Sequence, residues 1–150
     1  MGKLDWSRDY KRFEFSSEGV FVVVPTAEIR MGVRKRGLEW TRQMWESMQE
    51  YESGRMVINF EVFDLKDPDN YLTEFEVPIE LWVRFTAEDL KRAKAAEQEL
   101  RLLFWDGEQW VTMTEEKHGF KLLPEGGSEY EGFGFARLES WGDPQVMWAP

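Results

Sequence analysis

Apolar and polar positions alternate along much of this chain with the two-residue period of a half-buried β-strand. The longest example is 76–85, where Val77, Ile79, Leu81, Val83 and Phe85 share one side and Glu76, Pro78, Glu80 and Arg84 the other. Trp82 alone breaks the polar side. The segment from Met56 to Phe63 reads likewise, with Ile58, Phe60 and Val62 opposed to Asn59 and Glu61, and Ile29, Met31 and Val33 alternate with Glu28, Arg30 and Arg34. Val20–Val24 is a β-branched and aromatic run that follows Ser16, Ser17 and Gly19 and stops at Pro25, which has no N–H for a ladder.

A second group of strand signals begins at Leu100. The run LRLLFW, then Asp106-Gly107, then EQWVTM predicts a β-hairpin, because Asp-Gly takes the positive φ values of a tight type I′ turn. Further strands are expected at Phe120–Leu123, Tyr130–Leu138 and Gln145–Trp148, separated by PEGGSE and SWGDP. Gly132 and Gly134 read as strand positions needing a bulge or a close backbone approach, since they lack the third glycine and the helix of a dinucleotide loop. Two segments have helical spacing. Leu38–Tyr51 puts Trp40, Met44, Met48 and Tyr51 on one stripe, and Thr86–Glu97 opens with an N-cap threonine and early acids. Short strands with this turn punctuation predict a mainly β protein. The expected form is an antiparallel β-sandwich with one or two helices covering an edge or end, built as a single domain over 1–150.

Composition narrows the functional classes. Eight Trp and eleven Phe in 150 residues supply a large aromatic core, which sets the chain apart from disordered sequences. The formal net charge of −10 disfavours nucleic acid and anionic membrane as partners. The local run Arg30, Arg34, Lys35 and Arg36 is an exception, read as a solvated turn with an acidic partner as the alternative. With no cysteine there is no disulfide, zinc–thiolate site or thiol nucleophile. No apolar h-region stands in MGKLDWSRDYKRF and no stretch approaches the roughly 20 apolar residues that span a bilayer, so a soluble chain is expected and its compartment is left open.

Candidate chemistry is sparse. His118 is the only histidine, and it stands in the polar turn EEKHG without a G-x-S-x-G serine to serve. Glu115, Glu116 and His118 form a weak metal set, and Asp64, Asp67 and Asp69 lie in one acidic turn that lacks the glycine and terminal glutamate of an EF-hand. Neither requires an ion, so no metal, no cofactor and no catalytic residue is expected. The tryptophans carry more. Most of them are expected to bury against the helices or line a second face of the sandwich. Trp82, Trp105 and Trp110 are the candidate ligand platform, which requires all three exposed on one face. Trp40, Met44, Trp45, Met48 and the tail residue Trp148 are the candidate protein contacts.

The stretch from Phe75 to Met113 resembles the bacterial β-sandwich modules of the ZU5-like kind. The matching elements are Pro78, Phe85, the Glu88-Asp89-Leu90 triplet, Leu100 to Trp105, Asp106, Gly107 and Trp110. The chain departs from that pattern by its helical segment at 38–51 and by GFGFARLESW, which stands where the family has a closing H-F-S strand. The resemblance implies a non-catalytic spacer or interaction domain and brings no functional residues. The expectation is therefore a structural or protein–protein interaction module with a protein partner or self-association. The alternative is a carbohydrate-binding module using exposed tryptophans.

Overall fold

The structure is a computed structural model that describes residues 10–25, 31–36, 42–48, 55–106, 108–124, 131–141 and 145–149. In chain order its elements are β1 (Tyr10–Phe15), β2 (Val20–Pro25), β3 (Met31–Arg36), α1 (Arg42–Met48), β4 (Arg55–Asp64), β5 (Asp67–Tyr71), β6 (Glu74–Phe85), α2 (Ala87–Ala95), β7 (Arg101–Trp105), β8 (Trp110–Thr112), α3 (Glu115–His118), β9 (Lys121–Pro124), β10 (Gly132–Ser140) and β11 (Gln145–Ala149).

The strands form two antiparallel sheets. One runs β1-β2-β6-β10-β9; the other runs β3-β4-β11-β7-β8, with β5 paired to the end of β4. The main core lies between them. Val22, Ile79, Leu81, Val83 and Ala136 from the first sheet meet Ile58, Phe60, Leu102, Val146 and Trp148 from the second, all essentially without solvent contact. The alternation read over 76–85 is the alternation observed, because β6 sits at the centre of its sheet with one face on the core. Pro78 falls where the β6–β10 register shifts between Leu138 and Ser140, a place that tolerates a residue without an N–H.

Turn chemistry sets the hairpins. Gly19 closes β1–β2 at φ +67°, a conformation that side chains other than glycine's rarely take, and its carbonyl accepts from Arg84 N at 2.7 Å. The β7–β8 hairpin differs from the two-residue turn expected. Trp105 pairs with Trp110, leaving a four-residue loop. The Asp106 carboxylate closes that loop by accepting from the backbone N–H groups of Glu108 and Gln109, each at 2.8 Å. These bonds hold the Asp106 carboxyl below its ordinary range.

α2 begins as the sequence predicts. Thr86 Oγ1 accepts from Asp89 N at 3.3 Å, while Asp89 Oδ2 accepts from Thr86 N at 2.9 Å, a reciprocal capping box. Asp89 is buried, and Arg55 from the start of β4 donates Nε and Nη2 to its two oxygens at 3.0 and 2.6 Å. One carboxylate thus starts the helix and ties it to the second sheet. α1 is observed over Arg42–Met48, inside the longer helix expected, and the rest of that expectation, with Trp40, lies outside the described residues.

Candidate functional site

Most of the described tryptophans are core, as expected for most of them, and that burial removes residues offered as surface contacts. Trp105 and Trp110 are buried on the outer side of the second sheet, where they meet edge to face at 5.4 Å. Met44 of α1 covers them together with Leu103 and Met147, and Trp110 Nε1 donates to the Met44 carbonyl at 3.4 Å. Trp82 lies on β6 of the other sheet. The three tryptophans therefore share no face, and the expected platform does not form. The hairpin tryptophans form the seat for α1, a satellite core made where a helix shields a sheet's second face.

The expected protein contacts change for the same reason. Met44 is buried in that satellite core, so it presents no contact surface. Trp148 is 1% exposed, because β11 is not a free tail but a central strand between β4 and β7. Its ring lies over Gly134, its Nε1 donates to the Arg84 carbonyl at 3.0 Å, and it meets Phe85 edge-on at 6.1 Å. The backbones of Trp45 and Met48 belong to α1, while their side chains, like all of Trp40, lie outside the described residues.

A different aromatic group faces solvent. On the outer face of the first sheet, Phe21 of β2, Trp82 of β6 and Phe133 and Phe135 of β10 stand on three adjacent strands, all half-buried. Phe21 stacks on Trp82 with centroids 5.2 Å apart and planes 14° apart, as direct cross-strand partners. Phe133 meets Phe21 at 5.4 Å and Phe135 meets Trp82 at 4.8 Å, both edge to face. From the β1 side the Arg12 guanidinium lies 3.7 Å from the Phe21 centroid. Charges of both signs rim the group. Arg12 pairs with Glu14 at 2.7 Å, Arg84 pairs with Glu131 at 3.1 Å, and Trp82 Nε1 donates to Glu80 at 3.3 Å. Arg137 stands beyond Phe135.

The strand β10 explains how such a face arises. It turns Gly132, Gly134 and Ala136 inward and Phe133 and Phe135 outward. A Cβ at Gly134 would collide with the Trp148 ring, so the inward position is empty because a tryptophan from the opposite sheet fills it. The break in pattern at Trp82 was the signal in the sequence; its three companions come from neighbouring strands.

The remaining candidates close on themselves. His118 caps α3 from within: its Nδ1 accepts from Thr114 N at 3.2 Å, while its ring meets Phe104 edge-on at 5.9 Å. Burial, and secondarily the charge of Lys117, push its pKa below the usual value. It lines a cavity of about 360 Å³ with Asp106, Arg137 and Glu139. Asp64 accepts from Lys66 N at 2.9 Å and Asp67 from Asp69 N at 3.4 Å, which makes the acidic turn a pair of self-bonded Asx geometries. Of the basic run, Arg34 pairs with Glu61 and donates to the Pro68 carbonyl at 2.9 Å, and Lys35 pairs with Glu18. Among the described residues no group of three or more acids, histidines or cysteines is placed to hold a metal ion, and no helix is long and apolar enough to cross a membrane.

No family model, curated protein or solved structure matches the chain.

Proposed function

We propose that this chain is a non-catalytic protein-interaction module that pairs through the outer face of its β1-β2-β6-β10-β9 sheet, with a second copy of itself as the partner. The observation that carries the reading is the inverted pattern of β10, with small residues inward and Phe133 and Phe135 outward beside Trp82 and Phe21. Half-buried aromatics with arginines beside them are the composition of a contact hot spot. The rim carries both signs of charge, with Arg12, Arg84 and Arg137 among Glu14, Glu80 and Glu131, so a second copy meets no single-sign field there. The resemblance to ZU5-like spacer and interaction modules points to the same class.

A sugar platform has less in its favour. Stacking a sugar needs a free ring face, yet Phe21 lies between the Arg12 guanidinium on the β1 side and Trp82 on the β6 side. Two sheets packed face to face at about 10 Å, by contrast, interdigitate upright rings.

The test is molar mass by light scattering across a wide concentration range, with salt added because copies each carrying −10 repel until screened. The wild type should rise toward twice its monomer mass, and Trp82→Glu should remain monomeric with an unchanged far-UV spectrum. A wild type that stays monomeric throughout, or a Trp82→Glu variant that pairs equally well, overturns the reading.

A further inference from the structure

A groove of about 1220 Å³ separates α2 from β9, with the end of β8 and the start of α3 between them. Its base is apolar, with Leu90 on the α2 side, Met113 in the middle and Phe120 beside β9. Its charge runs against that of the molecule. Among the described residues that line it, Lys91, Lys94, Arg101 and Lys121 stand against Glu99 and Glu115, in a chain whose net charge is −10. Cations gathered over an apolar base attract an anionic ligand with apolar groups, and local charge decides what docks.

The backbone narrows the class of ligand. β9 ends its sheet and, among the described residues, pairs with β10 alone. All four of its residues are exposed, and Leu122 and Leu123 are two of the few large exposed apolar side chains, at 37% and 36%. Its four-residue length, Lys121 and the closing Pro124 guard this edge against indiscriminate pairing, while Leu122 and Leu123 leave it an apolar stretch for a specific partner. An anionic amphiphile would use the lysines and the apolar base but leave the strand edge idle. An extended peptide uses all three, and the groove exceeds the roughly 300–1,000 Å³ of small-molecule sites.

We infer that this groove binds an extended acidic segment of another protein, added as a strand along the edge of β9 that no described strand occupies. Its apolar side chains lie over Leu90 and Phe120, and its carboxylates meet Lys91, Lys94 and Lys121. This site borders the aromatic face through β9, but Trp82, Phe21, Phe133 and Phe135 do not line it, so it does not depend on pairing there.

The probe is a fluorescein-labelled peptide of alternating aspartate and leucine, read by anisotropy. Its comparators are a lysine-for-aspartate version, a version N-methylated at alternate residues, and laurate as competitor. The acidic peptide should bind, and more weakly as salt rises. The double variant Lys91→Glu/Lys94→Glu should weaken it by about tenfold, the effect of reversing two rim charges. N-methylation on the edge-facing side should weaken it further, and Trp82→Glu should leave it unchanged. Equal binding of the lysine version, indifference to N-methylation, or binding of laurate without binding of the peptide each overturns the inference. Both lysines sit on the solvent side of α2, and a matching thermal melt shows that the double variant is folded.

Discussion

Replacing Asp89 tests whether one buried carboxylate holds α2 to the sandwich. It is 3% exposed and accepts from Arg55 Nε and Nη2, Thr86 N and Thr86 Oγ1, at 3.0, 2.6, 2.9 and 3.2 Å. Asp89→Ala removes the capping box, worth about 1 kcal/mol. It also removes a bidentate charged pair, whose bonds to a charged group are worth about 1.5–3 kcal/mol each. The Arg55 side chain stays 35% exposed and regains water, so the pair is discounted to about 1–2 kcal/mol in all. The expected loss is therefore about 2–3 kcal/mol, or roughly 8 °C in Tm for a domain of this size.

Urea denaturation followed by tryptophan emission measures it directly, with a midpoint lower by about 1 M and an unchanged slope. Asp89→Asn separates the contributions, since it keeps an acceptor for Thr86 N but cannot pair with both guanidinium nitrogens. It should recover about 1 kcal/mol. A double-mutant cycle with Arg55→Met should return a coupling of about 1 kcal/mol or more. A loss under about 1 kcal/mol for Asp89→Ala, or a coupling near zero, would falsify the reasoning that this pair anchors the helix.

Three further outcomes are expected. His118 has a folded pKa depressed below 6.5 by burial, so the unfolded chain binds the extra proton first; its contribution is complete above pH 6.5 and is lost as pH falls through the folded value. The single imidazole should titrate by NMR below the free value, and His118→Gln should flatten the acid limb of stability; a titration at or above 6.5 refutes this. Gly134→Val drives a side chain into the Trp148 ring, which its bond to the Arg84 carbonyl holds in place, and should cost about 3 kcal/mol in a urea melt, whereas an unchanged midpoint denies the close approach. Trp105→Ala empties the satellite core and should cost about 3–5 kcal/mol while stripping hydrogen-exchange protection from α1; if α1 keeps its protection, the tryptophan pair is not its seat.

Most of the strand layout was legible because single-faced strands write their period into the sequence. β6 shows this best, with five alternating apolar residues that are the core-facing set, apart from Val77, which keeps some solvent contact. β5 was not legible: Asp67–Tyr71 is exposed throughout, so it has no buried face to produce a period and is a strand only through its pairing with β4. β1 went unread since Phe13 and Phe15 alone carry its alternation among charged neighbours. The tryptophans were misplaced for a different reason. Period two tells which residues share a side, not what covers that side. Trp105 and Trp110 share one as expected, but α1 lies over it. Trp148 stands near the end of the chain, yet strand order puts β11 in the middle of its sheet, and no local pattern encodes strand order. The same ignorance hid Phe21, Phe133 and Phe135 from Trp82, since only the order β2-β6-β10 makes them neighbours.

That order also joins the two proposed surfaces. β10 carries the outward phenylalanines and is the sole described partner of β9, with Phe133 opposite Leu123 and Phe135 opposite Lys121. A sheet face is continuous across its ladders, so side chains directly opposite one another project to the same side. Leu123 and Lys121 therefore extend the aromatic face toward the groove, while Leu122, opposite Gly134, points to the other side. A strand added at the edge of β9 would lengthen the face by one strand and set its own side chains beside Leu123. The face and the edge are thus parts of one sheet surface. The Trp148 ring takes the inward space at Gly134, so the bulk that β10 carries, Phe133 and Phe135, is turned outward. What the inverted strand gains is a broad outer face, carried on a sheet that Trp148 fills from behind.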